Sequence, residues 1–174
     1  MKDHSPILKR NLTGCVAAVL LILLDQFTKM LAVAHLKDQP ASVLINNVFE
    51  LRYLENRGSA FGMMQNKLII LIPVTVVVTL LILYLFFKKL PATRHFFWLN
   101  AIAVLFFAGA IGNFIDRVRQ GYVVDFFYFS LINFPIFNVA DIYVTVAAFL
   151  LIFLCLFYYK EEDFEQIFPS GSSR

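Results

Sequence analysis

The sequence predicts an all-α polytopic membrane protein: four transmembrane helices, with a small β-rich extracytoplasmic subdomain at the membrane surface. Three observations carry this. The chain has 174 residues, 60% hydrophobic and 16% charged, against roughly 45–50% apolar and about 25% charged in soluble domains. The apolar excess falls in four blocks, each near the ~20 residues that cross a ~30 Å hydrocarbon layer. Between the first two blocks lies Val48-Phe49-Glu50-Leu51-Arg52-Tyr53-Leu54, which alternates like a half-exposed strand.

The four spans are expected near residues 12–36, 68–87, 96–115 and 138–159 of one integral-membrane domain covering 1–174. Backbone in lipid must satisfy its own hydrogen bonds, so each block is read as a helix. A β-barrel would need strict alternation, which Val74 to Leu83 lacks. Residues Leu12-Thr13-Gly14-Cys15 imitate a signal-cleavage box, but Lys9, Arg10 and Asn11 precede it and the apolar run follows it. The first block is therefore expected to stay in the protein as a helix. Asn46-Asn47 is turn-like. The glycine-bearing segment Glu55-Asn56-Arg57-Gly58-Ser59-Ala60-Phe61-Gly62 follows the predicted strand. This outer segment has two readings, a cover for helix ends or one wall of a groove that takes an extended peptide, with Asn56 bonding its backbone.

Basic residues near the span ends set orientation. Lys2, Lys9, Arg10, Lys88, Lys89 and Arg94 flank the sides expected to be cytoplasmic. Both termini are then inside and the two long connections outside. The net charge of +3 belongs to this asymmetry and calls for no nucleic acid. Cys15 and Cys155 fall near inner helix ends and are expected as buried packing thiols. His4, His35 and His95 are scattered without ligand spacing. No metal site and no cofactor are expected.

Acids within apolar runs need a reason, because an isolated carboxylate in lipid loses several kcal/mol or its charge. Asp25 and Lys29 lie four apart, acid first, and are read as a structural polar pair. Gly109, Asn113 and Asp116 or Arg117 share a helix face. Small residues such as Gly109 allow close helix approach. Asp116 is expected to pair with Arg119 or cap local backbone. Arg117 at the membrane edge suits a lipid phosphate, a substrate carbonyl or a carboxylate. Asn138, Asp141 and Thr145 form a stripe on the fourth helix, beside the small Ala140. Asp141 alone reads as a first-turn cap. Asp125, sixteen residues earlier among Tyr122, Phe126, Phe127, Tyr128 and Phe129, sits in a loop of interfacial aromatics that folds back over the start of helix four.

Five motifs recur in order around the four spans: Asp25-Gln26-Phe27-Thr28-Lys29, Asn56-Arg57-Gly58-Ser59-Ala60-Phe61, Gly112-Asn113-Phe114-Ile115-Asp116-Arg117, Val123-Val124-Asp125-Phe126 and Phe137-Asn138-Val139-Ala140-Asp141. With them the chain resembles the bacterial lipoprotein signal peptidase (signal peptidase II) family over nearly its whole length. Ser59 and Phe114 depart from the Ala and Leu that are more usual there. The resemblance implies catalytic aspartates at Asp125 and Asp141. It implies substrate-binding or supporting roles for Asn56, Gly109, Asn113, Arg117, Asn138 and Ala140, and a supporting role for Asp25 and Lys29. It implies an intramembrane aspartic endopeptidase acting on diacylglyceryl-modified prolipoproteins, in contact with membrane lipid and inhibited by globomycin-like peptides. The implied location is the bacterial cytoplasmic (inner) membrane, with the active site near the periplasmic face.

Two close carboxylates share one proton, so one can take a proton from water while the other donates to the scissile carbonyl. The pair titrates as a unit, and base and acid stay unassigned. The rival class is a small proton-coupled transporter or channel subunit, which would place its acids along a path through the midplane. A third reading is a noncatalytic assembly factor that binds peptides on the outer sheet; it predicts that either carboxylate is dispensable.

Overall fold

The structure is a computed structural model and describes residues 5–58 and 68–169. Lys2, His4, Ser59, Ala60, Phe61, Gly62, Lys67 and the polar end Ser170–Arg174 lie outside the described residues. Four long helices dominate: α1 (Ser5–Leu36), α2 (Leu68–Tyr84), α3 (Phe97–Gln120) and α4 (Val139–Phe157). A π-helical turn, Leu85–Lys89, prolongs α2, and a short α5 (Glu161–Ile167) follows α4. Each of the four is long and apolar enough to cross a membrane, with the second span running Leu68–Lys89.

The helices are apolar on nearly every side. Leu20, Leu23 and Phe27 of α1, Val77, Leu80 and Leu81 of α2, and Phe149, Phe153 and Phe157 of α4 are exposed on the outside of the bundle. In water such a surface would drive aggregation, whereas in hydrocarbon it is the solvated face. The third helix is the hub, packing against α1, α2 and α4. At one end of the bundle Phe96, Leu99, Ile102, Ala147 and Leu154 form a core that Tyr159 and Ile167 close from the α5 side. At the other end Ala32, Val124 and Phe126 pack with Leu36, Leu51 and Tyr53, joining α1 to a sheet.

That sheet has three antiparallel strands in the order β1 (Ser42–Ile45), β2 (Phe49–Asn56) and β3 (Val123–Tyr128). The turn predicted at Asn46-Asn47 links the first two: Asn47 takes φ 56°, a left-handed conformation that Asn tolerates better than most residues. The second strand pairs with β3 through Leu54 opposite Asp125, Glu55 opposite Val124 and Asn56 opposite Val123. An irregularity between Leu51 and Leu54 breaks the ladder just before Asp125. Beyond β3 the chain doubles back, and Phe127 and Phe137 exchange backbone hydrogen bonds of 2.9 and 3.0 Å. This pairing seats the β3 residues over the start of α4.

Several expectations change. The aromatic loop around Asp125 is a strand, because its β-branched and aromatic side chains suit a pleated sheet and its backbone pairs with β2. The first helix begins by Ser5 rather than near residue 12, and α3 runs to Gln120 rather than ending near 115. A polar first turn and a polar last turn are compatible with helix once they extend beyond the apolar layer. The third helix stops where Gly121 adopts φ 79° and donates its N–H to the Arg117 carbonyl, the left-handed cap that glycine accepts without a Cβ penalty. Cys15 and Cys155 are free and exposed on the outside of the bundle, not buried within it. His95 does have a partner: its Nε2 lies 2.9 Å from Asp163 Oδ1 on α5.

Candidate active site

Asp125 and Asp141 reach the same place from different elements, and asparagines hold them there. Asp125 points inward from β3 and is 1% exposed. Its Oδ2 accepts from Asn56 Nδ2 at 2.8 Å and its Oδ1 from Asn138 Nδ2 at 2.6 Å. Asp141 lies in the first turn of α4. Its Oδ2 accepts the Asn138 backbone N–H at 3.1 Å, and Asn138 Oδ1 accepts the Asp141 N–H at 3.1 Å. This reciprocal capping box satisfies two donors of the helix start and ties the Asp141 carboxylate to the residue that grips Asp125. Asn113 Nδ2 donates to Asp141 Oδ1 at 2.8 Å.

Burial, followed by the neighbouring Asp141 charge, pushes the Asp125 carboxyl up to about 7. The hydrogen bonds from Asn56 and Asn138 and the charge of Lys29 act the other way without reversing the shift. An acid raised this far beside a second acid is able to hold a proton near neutrality.

A cavity of about 500 Å³ opens onto both carboxylates. Its polar lining includes Asn56, Asn113, Arg117, Asp125, Asp141 and Thr145; the rest is largely apolar, with Phe134, Ile136, Ile142 and Val146 among the lining residues. Arg117 donates to the Gly58 carbonyl at 3.2 Å. Its buried Nε has no hydrogen-bond partner among the described residues, an unmet donor of a kind that is rare in a folded interior.

Behind the carboxylates sits an ionic cluster that is closed to the cavity. Lys29 is 3% exposed and contacts Asp25 Oδ2 at 2.9 Å and Asp116 Oδ2 at 3.1 Å. Asp25 also accepts the Ala140 N–H at 2.9 Å, reaching across from α1 to α4. The expected partner of Asp116, Arg119, is replaced by Lys29; Gln26 Nε2 at 3.0 Å and the Val124 N–H at 3.2 Å complete its shell. Lys29 extends inward along α1 and does not snorkel out.

Gly109, Asn138 and Ala140 do not line the cavity. Ala140 is fully buried, and a Cβ on Gly109 would lie 2.6 Å from its carbonyl oxygen and 2.7 Å from Val144 Cγ2. Sequence reasoning misses the role of Gly112, where a Cβ would lie 2.5 Å from Asp25 Oδ2. Its missing side chain is the space through which Asp25 reaches α4. It misses Gln26 too; the available signal is the place of Gln26 directly after Asp25 in the first motif.

Comparison with known proteins shows the family. The family model described as Signal peptidase (SPase) II matches residues 17–157. A lipoprotein signal peptidase of Caldanaerobacter subterraneus subsp. tengcongensis is 45% identical over 143 residues, covering 82% of this chain and 94% of the relative. One from Streptococcus pneumoniae is 39% identical over 155 residues, covering 89% of this chain and 97% of the relative. Among solved structures, a bacterial membrane enzyme determined by the in meso method at 2.3 Å superposes with a TM-score of 0.75 at 30% identity, covering 86% of this chain and 92% of the other. These matches run across most of the chain, from the first span to the fourth, and on them the protein belongs to the signal peptidase II family of lipoprotein signal peptidases.

Proposed function

We propose that this protein is an aspartic endopeptidase that removes the signal peptide from diacylglyceryl-modified prolipoproteins, with Asp125 and Asp141 as the water-activating dyad. The observation that carries the reading is the Asn138 bridge, which holds the buried Asp125 and the half-buried Asp141 carboxylates at the wall of one largely apolar cavity. Relatives named lipoprotein signal peptidases support the substrate class.

Before attack the dyad holds one proton. The ionised carboxylate takes a proton from water as the water oxygen bonds to the scissile carbonyl carbon. The protonated carboxyl donates to the carbonyl oxygen, giving a neutral tetrahedral diol. Collapse breaks the carbon–nitrogen bond, with proton transfer through the dyad to the leaving amine, and the dyad returns with its single proton. Arg117 sets a positive charge on the cavity wall beside the peptide, and Asn56, at the end of β2, stands where an extended substrate strand would run. Asn113 and Asn138 hold the dyad in place. The apolar wall accepts the lipidated cysteine and the end of the signal helix directly from the bilayer, where both already reside.

The basic flanks support both termini inside a bacterial cytoplasmic membrane and the dyad near its outer face. A globomycin-like peptide would compete for the same cavity. The experiment is direct: purified Asp125→Asn and Asp141→Asn proteins are incubated with a diacylglyceryl-prolipoprotein in liposomes. Folded variants with almost no cleavage are the expected result, and near-normal turnover by both would overturn the dyad.

A further inference from the structure

We propose that Lys29 is a positioning residue for the reaction, acting through Asn113, and that it is more than half of a structural ion pair. The inference rests on the dyad reading above and deepens it. Its observation is a three-residue chain: Lys29 Nζ donates to Asn113 Oδ1 at 2.9 Å, and Asn113 Nδ2 donates to Asp141 Oδ1 at 2.8 Å.

The direction in which each amide points is decisive. Asparagine has a carbonyl and an NH₂ on nearly symmetric arms, and only its neighbours decide which faces a given group. Three asparagines surround the dyad. The Asn56 carbonyl accepts the Gly58 backbone N–H at 2.9 Å, so its NH₂ must face Asp125. The Asn138 carbonyl accepts the Asp141 backbone N–H at 3.1 Å, so its NH₂ also faces Asp125. Backbone orients those two. The Asn113 carbonyl has no backbone donor among the described residues; Lys29 and, at 3.1 Å, Asn138 Nδ2 are its donors. An ammonium is never an acceptor. It therefore forbids the flipped amide, which would aim NH₂ at a cation and a carbonyl at Asp141.

The consequence reaches all four carboxylate oxygens. Each accepts one N–H: Asp125 from Asn56 and Asn138, Asp141 from Asn113 and the Asn138 backbone. The shared proton is thereby kept off these directions and left for the lone pairs that face the cavity, where water and substrate meet the dyad. Lys29 is itself held by Asp25 and Asp116. The other charged groups around this assembly are Arg117 on α3 and Glu55 on β2, both on the cavity wall. The cluster on α1 thus sets a hydrogen-bond polarity on α4 from the side the substrate never touches.

The test removes the ion pair as a pair, using Asp25→Asn with Lys29→Met. The net buried charge is unchanged; Asp116 loses the ammonium and keeps the Gln26 Nε2 and Val124 N–H donors, and the amide that replaces the Asp25 carboxylate retains an oxygen for the Ala140 N–H. Cleavage of a diacylglyceryl-prolipoprotein is measured in liposomes per folded enzyme, with thermal unfolding alongside. The expected result is kcat lower by about ten- to hundredfold, the size of one hydrogen bond to a charged group, with KM within about threefold of the parent. In an Asn113→Ala background the same double change is expected to have little further effect, because the two act in series. Unchanged kcat in a folded but less stable variant would overturn the proposal and leave a structural pair. If the double variant does not fold, a crystal structure of the unaltered protein decides: Lys29 Nζ bonded to Asn113 supports the proposal, and Lys29 turned away from it overturns it. Failure of the dyad reading itself is separate, since it would show as activity in Asp125→Asn and Asp141→Asn.

Discussion

Asn138 donates its side-chain amide to Asp125 at 2.6 Å while capping the helix that carries Asp141. One residue thereby sets both the fold of α4 and the spacing of the dyad. Replacing it with Ala removes a cap worth about 1 kcal/mol and the bridge together. Asn138→Ala is expected to cut kcat at least hundredfold while thermal unfolding falls only by the few degrees that a lost cap brings, on the order of 4 °C per kcal/mol for a domain of this size. A variant with lost stability and full activity would make Asn138 a cap alone.

The pH dependence follows from Asp125. Its carboxyl is raised to about 7 by burial and then by Asp141, so the one-proton dyad persists on the acid side of that value and empties above it. The kcat/KM for cleavage, which reports the free enzyme, is expected to decline above about pH 7 with a one-proton limb, and to decline again at low pH as the second carboxylate protonates. The linkage to folding has a fixed sign. A raised folded-state value means the native protein binds this proton more tightly, so this group's contribution to stability falls as pH rises from the unfolded carboxylate range through about 7. A profile still rising at pH 9 would contradict the shared proton.

Gly112 and Gly109 are predicted to tolerate nothing larger. A Gly112→Ala Cβ would meet Asp25 Oδ2 at 2.5 Å, and a Gly109→Ala Cβ the Ala140 carbonyl oxygen at 2.6 Å. Overpacking of this kind costs roughly 1–3 kcal/mol. Both variants are expected to unfold earlier on heating in detergent. Gly112→Ala is expected to lose more activity, because it moves the Asp25 side chain that receives the Ala140 N–H. Equal unfolding temperatures for parent and variants would show that α3 and α4 have room to part.

Arg117 spans two tasks, holding the Gly58 carbonyl just past β2 and forming part of the cavity wall beside the carboxylates. Arg117→Gln should raise KM and lower kcat together, with kcat/KM down by on the order of tenfold to a hundredfold, the range for a lost charge-assisted hydrogen bond. Arg117→Lys keeps the charge but not the fork and should recover only part of this. Michaelis curves for the three proteins, taken with one lipidated substrate, decide the point.

Orientation is open to labelling. With Cys15 and Cys155 replaced by Ser, the Asp38→Cys thiol should react with an impermeant reagent from outside intact cells, and the Lys88→Cys thiol only after the membrane is opened. The opposite pattern would reverse the proposed topology while leaving the two carboxylates together.

The sequence by itself determined the spans, because ~20 apolar residues in lipid admit little besides helix. It also marked Asp25 with Lys29, since an i,i+4 pair is local geometry, and the strand through Val48 to Leu54, since alternation is local too. It singled out Asp125 and Asp141 as costly acids whose meeting was implied by resemblance. What only the tertiary structure decided is how separated elements meet. The pairing of β2 with β3 and the return of Phe137 onto Phe127 bring Asp125 to Asn138, and no spacing in the chain encodes that distance. Asp116 finds Lys29 rather than the nearby Arg119 because α1 passes α3 closely at Gly112, a contact between residues far apart in sequence. The same close passage carries the Lys29 ammonium to Asn113. Local patterns are readable from the order of residues; a hydrogen-bond network drawn from four different elements exists only once their packing has put its donors and acceptors within about 3 Å of one another.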